Sequence, residues 1–300
     1  MSTPISAAGG WDHHAETYGR LFAPFTGVIA RGLLASAEGR LPQGARLLDV
    51  ACGTGALAIP ALERAFRERG AAGAGAARGP AQVVATDFSE AMVARTRAAG
   101  AALLAGSPGP DLDGLFECRV EDGEALSFAD ASFDAVFSCF GIFLFADRRA
   151  GWREAARVLR PGGTFATAVW QGPQHNELLR AQMEPMMASL PDRLRQPPPP
   201  GGWLTISDAE ALRAEVVDAA PLTDVRVRPF QLTMVYPDWT LLWSAMRDNP
   251  VVGAMLRACT EAELDVVRES VFGSFQERAG GEGEPLVLAS ACNLLVATRA

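Results

Sequence analysis

No uninterrupted apolar run approaches the roughly 18–20 residues that a membrane span needs. The first ten residues, Met1 to Gly10, lack both a basic start and an apolar stretch, so no secretory leader is expected and the reading is cytoplasmic. Lysine is absent, and all 27 basic residues are arginine, a bias attributed to coding composition rather than to a site. Basic charge is in deficit: the net charge is −8, which argues against nucleic acid or an anionic membrane as the main partner. The five cysteines, Cys52, Cys118, Cys139, Cys259 and Cys292, are scattered, with no zinc-ligand or redox spacing. The three histidines, His13, His14 and His175, form no metal pattern, so no metal is expected.

What the chain does have is a strand–helix alternation through its middle. Arg46–Ala51, Gln82–Thr86, Leu115–Val120, Ser132–Ser138 and Thr164–Trp170 are short apolar runs of the kind that form buried parallel strands. Helices are predicted between them: about 56–69, from Glu90 with Ser89 as N-cap, and from Arg148 to about Leu159 with Asp147 as cap and Pro161-Gly-Gly163 as terminator. This order implies a doubly wound α/β sheet, with its ligand crevice at the carboxyl ends of the strands. Segments 71–80 and 105–114 read as loops, and Pro197–Pro200 as a stiff spacer. Trp11–Arg40, Gln174–Leu190, Asp208–Ala219 and Asp238 to about Arg278 read as helical. Val225–Tyr236 and Cys292–Thr298 read as strands.

The chemistry concentrates at Asp49-Val-Ala-Cys-Gly-Thr-Gly55. Gly53 and Gly55 permit a tight turn and close approach of a ligand to the backbone. Gly53-x-Gly55-x-x-Ala58 also fits the loose dinucleotide fingerprint, with Asp87 as a ribose acid. Charge separates the two readings. A pyrophosphate at this turn meets the Asp49 carboxylate, whereas a ligand carrying an ammonium and a sulfonium is attracted to it. Asp87 suits two ribose hydroxyls, and Asp122, after the third strand, suits the exocyclic amine of adenine. Three acids after three neighbouring strands outline S-adenosylmethionine rather than NAD.

These residues resemble the class I S-adenosylmethionine-dependent methyltransferases, in the methyltransferase type 11 group similar to the ubiquinone/menaquinone C-methyltransferases. The resemblance is carried by Leu48-Asp-Val-Ala-Cys-Gly-Thr-Gly55, Ala85-Thr-Asp-Phe-Ser-Glu-Ala-Met92, Val120-Glu-Asp-Gly-Glu-Ala-Leu-Ser-Phe128, Ser132-Phe-Asp-Ala-Val-Phe-Ser138 and Val158-Leu-Arg-Pro-Gly-Gly163, in that order. It implies a Rossmann-like, seven-stranded sheet whose last strand runs antiparallel between strands five and six. Added helices would form a lid over the carboxyl edge. Residues 1–40 would be an N-terminal helical lid and 41–170 the cofactor core. Residues 171–300 would complete the sheet and enclose the acceptor. Asp49, Gly53 and Gly55 would hold the methionine part and Asp87 the ribose, with Phe88 by the adenine and Ala51 and Met92 as further cofactor contacts. Asp122 and Gly123 would meet the adenine amine and ring, Ser138 and Cys139 would line the methyl-transfer channel, and Tyr18, matching an aromatic of the N-terminal lid, would also contact the cofactor. The product would be S-adenosylhomocysteine.

Methyl transfer from a sulfonium is an in-line displacement that needs alignment and exclusion of water. His175, just past the fifth strand, is the candidate general base, although a solvated histidine at a helix start has the same local sequence. The acceptor pocket is expected from Phe140, Phe143, Trp170, Met183, Trp239 and Trp243, with Ile142, Phe145, Met186, Met187 and Met246 nearby. At helical spacing such residues also serve as ordinary core. The expected activity is methylation of a small, lipophilic or aromatic metabolite at oxygen, carbon or nitrogen, by a monomer or homodimer. The alternatives are an NAD-dependent oxidoreductase and a non-catalytic cofactor-binding relative.

Overall fold

The computed structural model describes residues 8–71, 81–105, 114–195, 202–249, 252–281 and 283–300. The segment 72–80, most of the 105–114 loop and the proline spacer fall outside the described residues.

Seven strands form one sheet: β1 (Arg46–Val50), β2 (Gln82–Asp87), β3 (Phe116–Val120), β4 (Phe133–Cys139), β5 (Leu159–Trp170), β6 (Leu222–Tyr236) and β7 (Leu286–Arg299). Their order is β3-β2-β1-β4-β5-β7-β6. The pairs from β3 to β5 are parallel, and β7 runs antiparallel to both β5 and β6. The helices are α1 (Ala8–Leu21), α2 (Ala23–Ala37), α3 (Ala58–Ala71), α4 (Glu90–Ala105), α5 (Arg148–Val158), α6 (Glu177–Ser189), α7 (Ala209–Ala219), α8 (Trp239–Asp248), α9 (Val252–Arg257) and α10 (Glu261–Ala279). Among the described residues no helix is long and apolar enough to cross a membrane.

The central strands are covered on both faces, which is why they read as continuous apolar runs instead of alternating ones. Leu47, Leu48, Val83, Val84, Ala135, Val136 and Phe137 are all buried, and Trp152 of α5 packs at 5.9 Å, edge-on, against Phe165 of β5. β6 lies at the sheet edge, and its burial alternates along much of its length. The chain order reverses between β1 and β4, so their carboxyl ends diverge and leave a crevice.

Three sequence expectations are corrected. The Pro161-Gly-Gly163 segment does not terminate α5, which already stops at Val158; Leu159 opposite Phe133 starts β5, with a register shift before Ala135. Gly162, at φ +78°, absorbs the local bend. The last strand begins at Leu286, not Cys292, because the β6–β7 pair runs on past the end of β5, from Gln231 opposite Ala291 to Tyr236 opposite Leu286. The stretch from Asp238 to Arg278 is three helices instead of one. Asp238 caps the first on the Leu241 amide, and Thr260 with Glu263 forms a capping box on the last. Together with α6 these helices build a second apolar cluster on the β6–β7 ribbon, around Met186, Met234, Leu242, Met246, Val271 and Leu288.

Candidate functional site

A cavity of about 400 Å³ opens at the carboxyl ends of β1, β2 and β4. β1 ends at Val50, and Ala51 (φ 58°) and Gly53 (φ 54°) turn the chain through the left-handed region before α3. A non-glycine residue there costs about 1–2 kcal/mol. The turn is held by Cys52 N donating to Thr86 O (2.8 Å) and Thr96 Oγ1 donating to Gly53 O (2.8 Å). Gly55 (φ 93°) adjoins the cavity without lining it, and a methyl group placed there would sit 3.0 Å from Ile59 Cγ1.

Five carboxylates line the cavity, those of Asp49, Asp87, Glu121, Asp122 and Glu124, and no basic side chain does so among the described residues. Asp49 is 1% exposed, and neither carboxylate oxygen has a hydrogen-bond partner among those residues. Burial pushes its carboxyl well above the usual range. The neighbouring Asp87 adds to that push, and the Ala58 backbone opposes it. Asp87 ends β2 with Oδ2 accepting from Gly53 N (2.9 Å) and Oδ1 from Ser89 N (3.0 Å). Burial raises it to about 6 against the pull of the Ser89, Gly53 and Phe88 amides. Asp122 is exposed and accepts from Glu124 N (2.9 Å). Glu121 is engaged by Ser127, and Glu124 accepts from Asp147 N (3.0 Å). Gly123 leaves room for Phe145, whose ring would lie 2.5 Å from a methyl group added at 123.

Phe88 and Met92 line the same cavity from the β2–α4 side, and Ala51, Cys139 and Phe140 from the β1 and β4 ends. Trp11 and Tyr18 reach it from α1. Phe140 is also left-handed (φ 61°), and its ring stacks on Trp170 at 4.2 Å and 16°. Burial pushes the Cys139 thiol and the Tyr18 phenol up, so neither is a base or nucleophile at neutral pH.

Other expected site residues lie elsewhere. Ser138 is fully buried inside β4, with Oγ accepting from Ile142 N (3.1 Å). Phe143 is core, edge-on to Trp203 at 5.7 Å, and Trp170 backs Phe140 without reaching the cavity. Met183, Trp239 and Trp243 belong to the second apolar cluster, where the two tryptophans stack at 5.3 Å. They are held there because α6, α8 and α10 bury their apolar faces on the β6–β7 ribbon. His175 is exposed on the 3-10 turn Pro173–His175 and does not line the cavity. Sequence reasoning missed Trp11, Leu57, Glu121, Glu124, Gly141 and Leu144 as lining residues. Trp11 was findable, since it stands seven residues before Tyr18 and so on the same helical face.

The sheet order with its reversed last strand, and a glycine turn where the chain order switches, define the class I methyltransferase architecture. Residues 48–167 match the family described as Methyltransferase domain. Over that segment the chain is similar to class I S-adenosylmethionine-dependent methyltransferases, among them ubiquinone/menaquinone and demethylmenaquinone enzymes. It is 37% identical over 135 residues to the ubiquinone/menaquinone biosynthesis C-methyltransferase UbiE of Geobacter sulfurreducens, covering 45% of each chain. It is 32% identical over 139 residues to an uncharacterized protein of Mycobacterium tuberculosis, covering 46% of this chain and 41% of that one. The chain thus spans about half the length of the curated relatives it matches. The YcgJ protein from Bacillus subtilis superposes with a TM-score of 0.54 at 17% identity, over 90% of this chain and 98% of that one, a likeness of fold.

Proposed function

We propose that this protein transfers a methyl group from S-adenosylmethionine to a small, apolar or aromatic acceptor. The observation that carries the reading is the Asp49 carboxylate, buried and unpartnered at the cavity. A buried anion without a partner is costly, and a cationic ligand relieves it. A diphosphate would instead add like charge to a cavity already lined by five carboxylates.

In this reading Asp49, Ala51 and Gly53 hold the methionine part, with Gly55 shaping the turn behind them, Asp87 accepts from the ribose hydroxyls, Phe88 and Met92 flank the adenine, and Asp122 with Gly123 meets its polar edge. When bound, the cofactor supplies an electrophilic methyl group on a sulfonium. Tyr18, Cys139 and Phe140 close the methyl side and keep water from it. Residues 1–40 serve as the cover, and 41–170 as the cofactor half. Trp170, the last residue of that half, acts indirectly by setting the ring of Phe140. No proton is routed through His175.

Isothermal titration with S-adenosylhomocysteine, with NAD as the control, tests the cofactor half. A tritiated-methyl assay over phenols, quinones and amines tests the acceptor half. Saturable S-adenosylhomocysteine binding and a labelled product from at least one acceptor are expected. Binding of NAD in place of S-adenosylhomocysteine overturns the reading. Binding of S-adenosylhomocysteine with no product from any acceptor reduces the protein to a cofactor-binding relative.

A further inference from the structure

The N-terminal helix does more than roof the cavity. Asp12, on α1, directs its carboxylate to the start of α4. Its Oδ1 accepts from Ser89 Oγ (2.5 Å) and from Ala91 N (3.2 Å). Ser89 Oγ in turn accepts from Met92 N (3.1 Å), and Ser89 N donates to Asp87 Oδ1 (3.0 Å). One carboxylate on the cover is therefore joined through a single serine to the acid assigned to the ribose and to a methionine that lines the cavity. The residue before Asp12 is Trp11, and two helical turns on from Trp11 comes Tyr18, both in the cavity wall. On its other flank α1 is tied to α8 by Thr17 Oγ1, which donates to Asp248 Oδ2 (2.7 Å). The Glu16–Arg95 pair, at 3.8 Å and well exposed, adds little.

We propose that Asp12 is a positioning residue for the cofactor: by capping α4 from outside that helix, it fixes α1 in its closed placement and holds the Ser89–Asp87 pair in the geometry that receives the ribose. The inference deepens the reading above and rests on Asp87 as the ribose acid. Ordinarily the donors at a helix start are met by the residue just before it. Here Ser89 fills that role for Met92, while the Ala91 amide and the serine hydroxyl are met from another helix. Docking of α1 and ordering of the cofactor acid become one event, and each favours the other by the same factor.

A purely structural contact and this coupling differ in what they move. Asp12→Ala removes both the acceptor and the charge. Asp12→Asn keeps an oxygen for Ser89 and removes only the charge. Asp12→Ala is expected to raise the dissociation constant for S-adenosylhomocysteine about five- to tenfold, the size of a lost cap. Hydrogen exchange should quicken in α1, with β1 and β4 amides unchanged. Asp12→Asn should restore affinity to within about threefold of the parent, since a cap amide replaces a cap carboxylate well. It should also move the acid limb of binding to lower pH, because Asp12 is one of the groups that raise Asp87. The other charged or titratable groups facing Asp87 are Asp49 from β1, Cys52 from the glycine turn and Tyr18 from α1, and all stay in place.

Unchanged affinity in Asp12→Ala, alongside weakened binding in Asp87→Ala, overturns the role of Asp12 and leaves the cofactor reading standing. Unchanged affinity in Asp87→Ala overturns the ribose assignment, and this inference with it. Faster exchange throughout β1 and β4 in Asp12→Ala, or failure of Asp12→Asn to restore binding, makes the contact merely structural and also overturns it.

Discussion

The backbone N–H of Gly53 donates a 2.9 Å hydrogen bond to Asp87 Oδ2, so the glycine turn after β1 is fastened to the acid that ends β2. A carboxylate has about four acceptor positions. Gly53 and Ser89 occupy two of them, which leaves capacity for a ligand diol. Asp87→Ala removes the ligand contact and the fastening together. We expect S-adenosylhomocysteine binding to weaken by roughly tenfold or more, measured by isothermal titration, with the circular dichroism spectrum unchanged.

The same residue sets a pH dependence. Its folded pKa of about 6 lies above the ordinary aspartate value of 3.8, pushed up by burial. The folded state therefore binds this proton more tightly than the unfolded one, and stability falls as pH rises from about 4 to about 6. At neutral pH the burial of this ion costs up to about 3 kcal/mol. In thermal melts the advantage of Asp87→Asn over the parent should be largest at pH 7 and shrink towards pH 4. Affinity for S-adenosylhomocysteine should run the other way, falling below about pH 6 as the acceptor is protonated.

Asp49→Asn separates stability from binding. Replacing this buried, unpartnered acid removes the cost of holding it ionised or of protonating it on folding, even though the amide stays unpaired. The melting temperature of the ligand-free protein should rise, while the dissociation constant for S-adenosylhomocysteine should increase by about tenfold or more. Differential scanning fluorimetry and calorimetry on one preparation read both, and a fall in melting temperature would contradict the account of Asp49.

Gly141 has no room for a side chain. A methyl group there would lie 2.4 Å from Ala51 Cβ and 2.7 Å from Ser138 Oγ. Gly141→Ala must push the β4 loop off the glycine turn, at about 1–3 kcal/mol. Urea unfolding should show that loss, with cofactor affinity falling alongside it because Ala51 lines the cavity.

Phe140 holds its left-handed backbone with its amide on Ala168 O (3.2 Å) and its ring on Trp170. Phe140→Ala removes that aromatic wall. KM for an aromatic acceptor should rise about three- to tenfold, the worth of one ring stack, with S-adenosylhomocysteine affinity little changed. His175→Ala, exposed and away from the cavity, should keep the parent rate at every pH.

Much of this site is legible before any fold is seen, and the reason is local. β1, β2 and β4 are buried on both faces, so Leu47–Leu48, Val83–Ala85 and Ala135–Phe137 stand out as apolar blocks, and Asp49 and Asp87, acids in the last two residues of β1 and β2, stand at the sheet rim. The aromatic walls are not legible in this way. Trp11 and Trp239 both look like amphipathic-helix residues; the direction in which α1 crosses the sheet brings one to the cavity, and the length of the β6–β7 ribbon takes the other away. Leu159–Gly163 carries every sign of a chain break, yet pairing with Phe133 draws it into a strand. Long-range pairing overrides local preference there, as it does at Leu286–Ala291.

The position of β7 has a consequence for how the molecule is made. β6 is synthesised first but touches the sheet only through β7, which lies between it and β5. While a ribosome is still translating residue 286, β6 has no neighbouring strand, and α8 and α10 have only half of their ribbon to rest on. The portion from Arg46 to Trp170 can assemble on the growing chain, whereas everything hung on β6 must wait for its partner. A stalled or prematurely released chain would consequently leave a fifteen-residue strand unpaired and open to association with other nascent proteins.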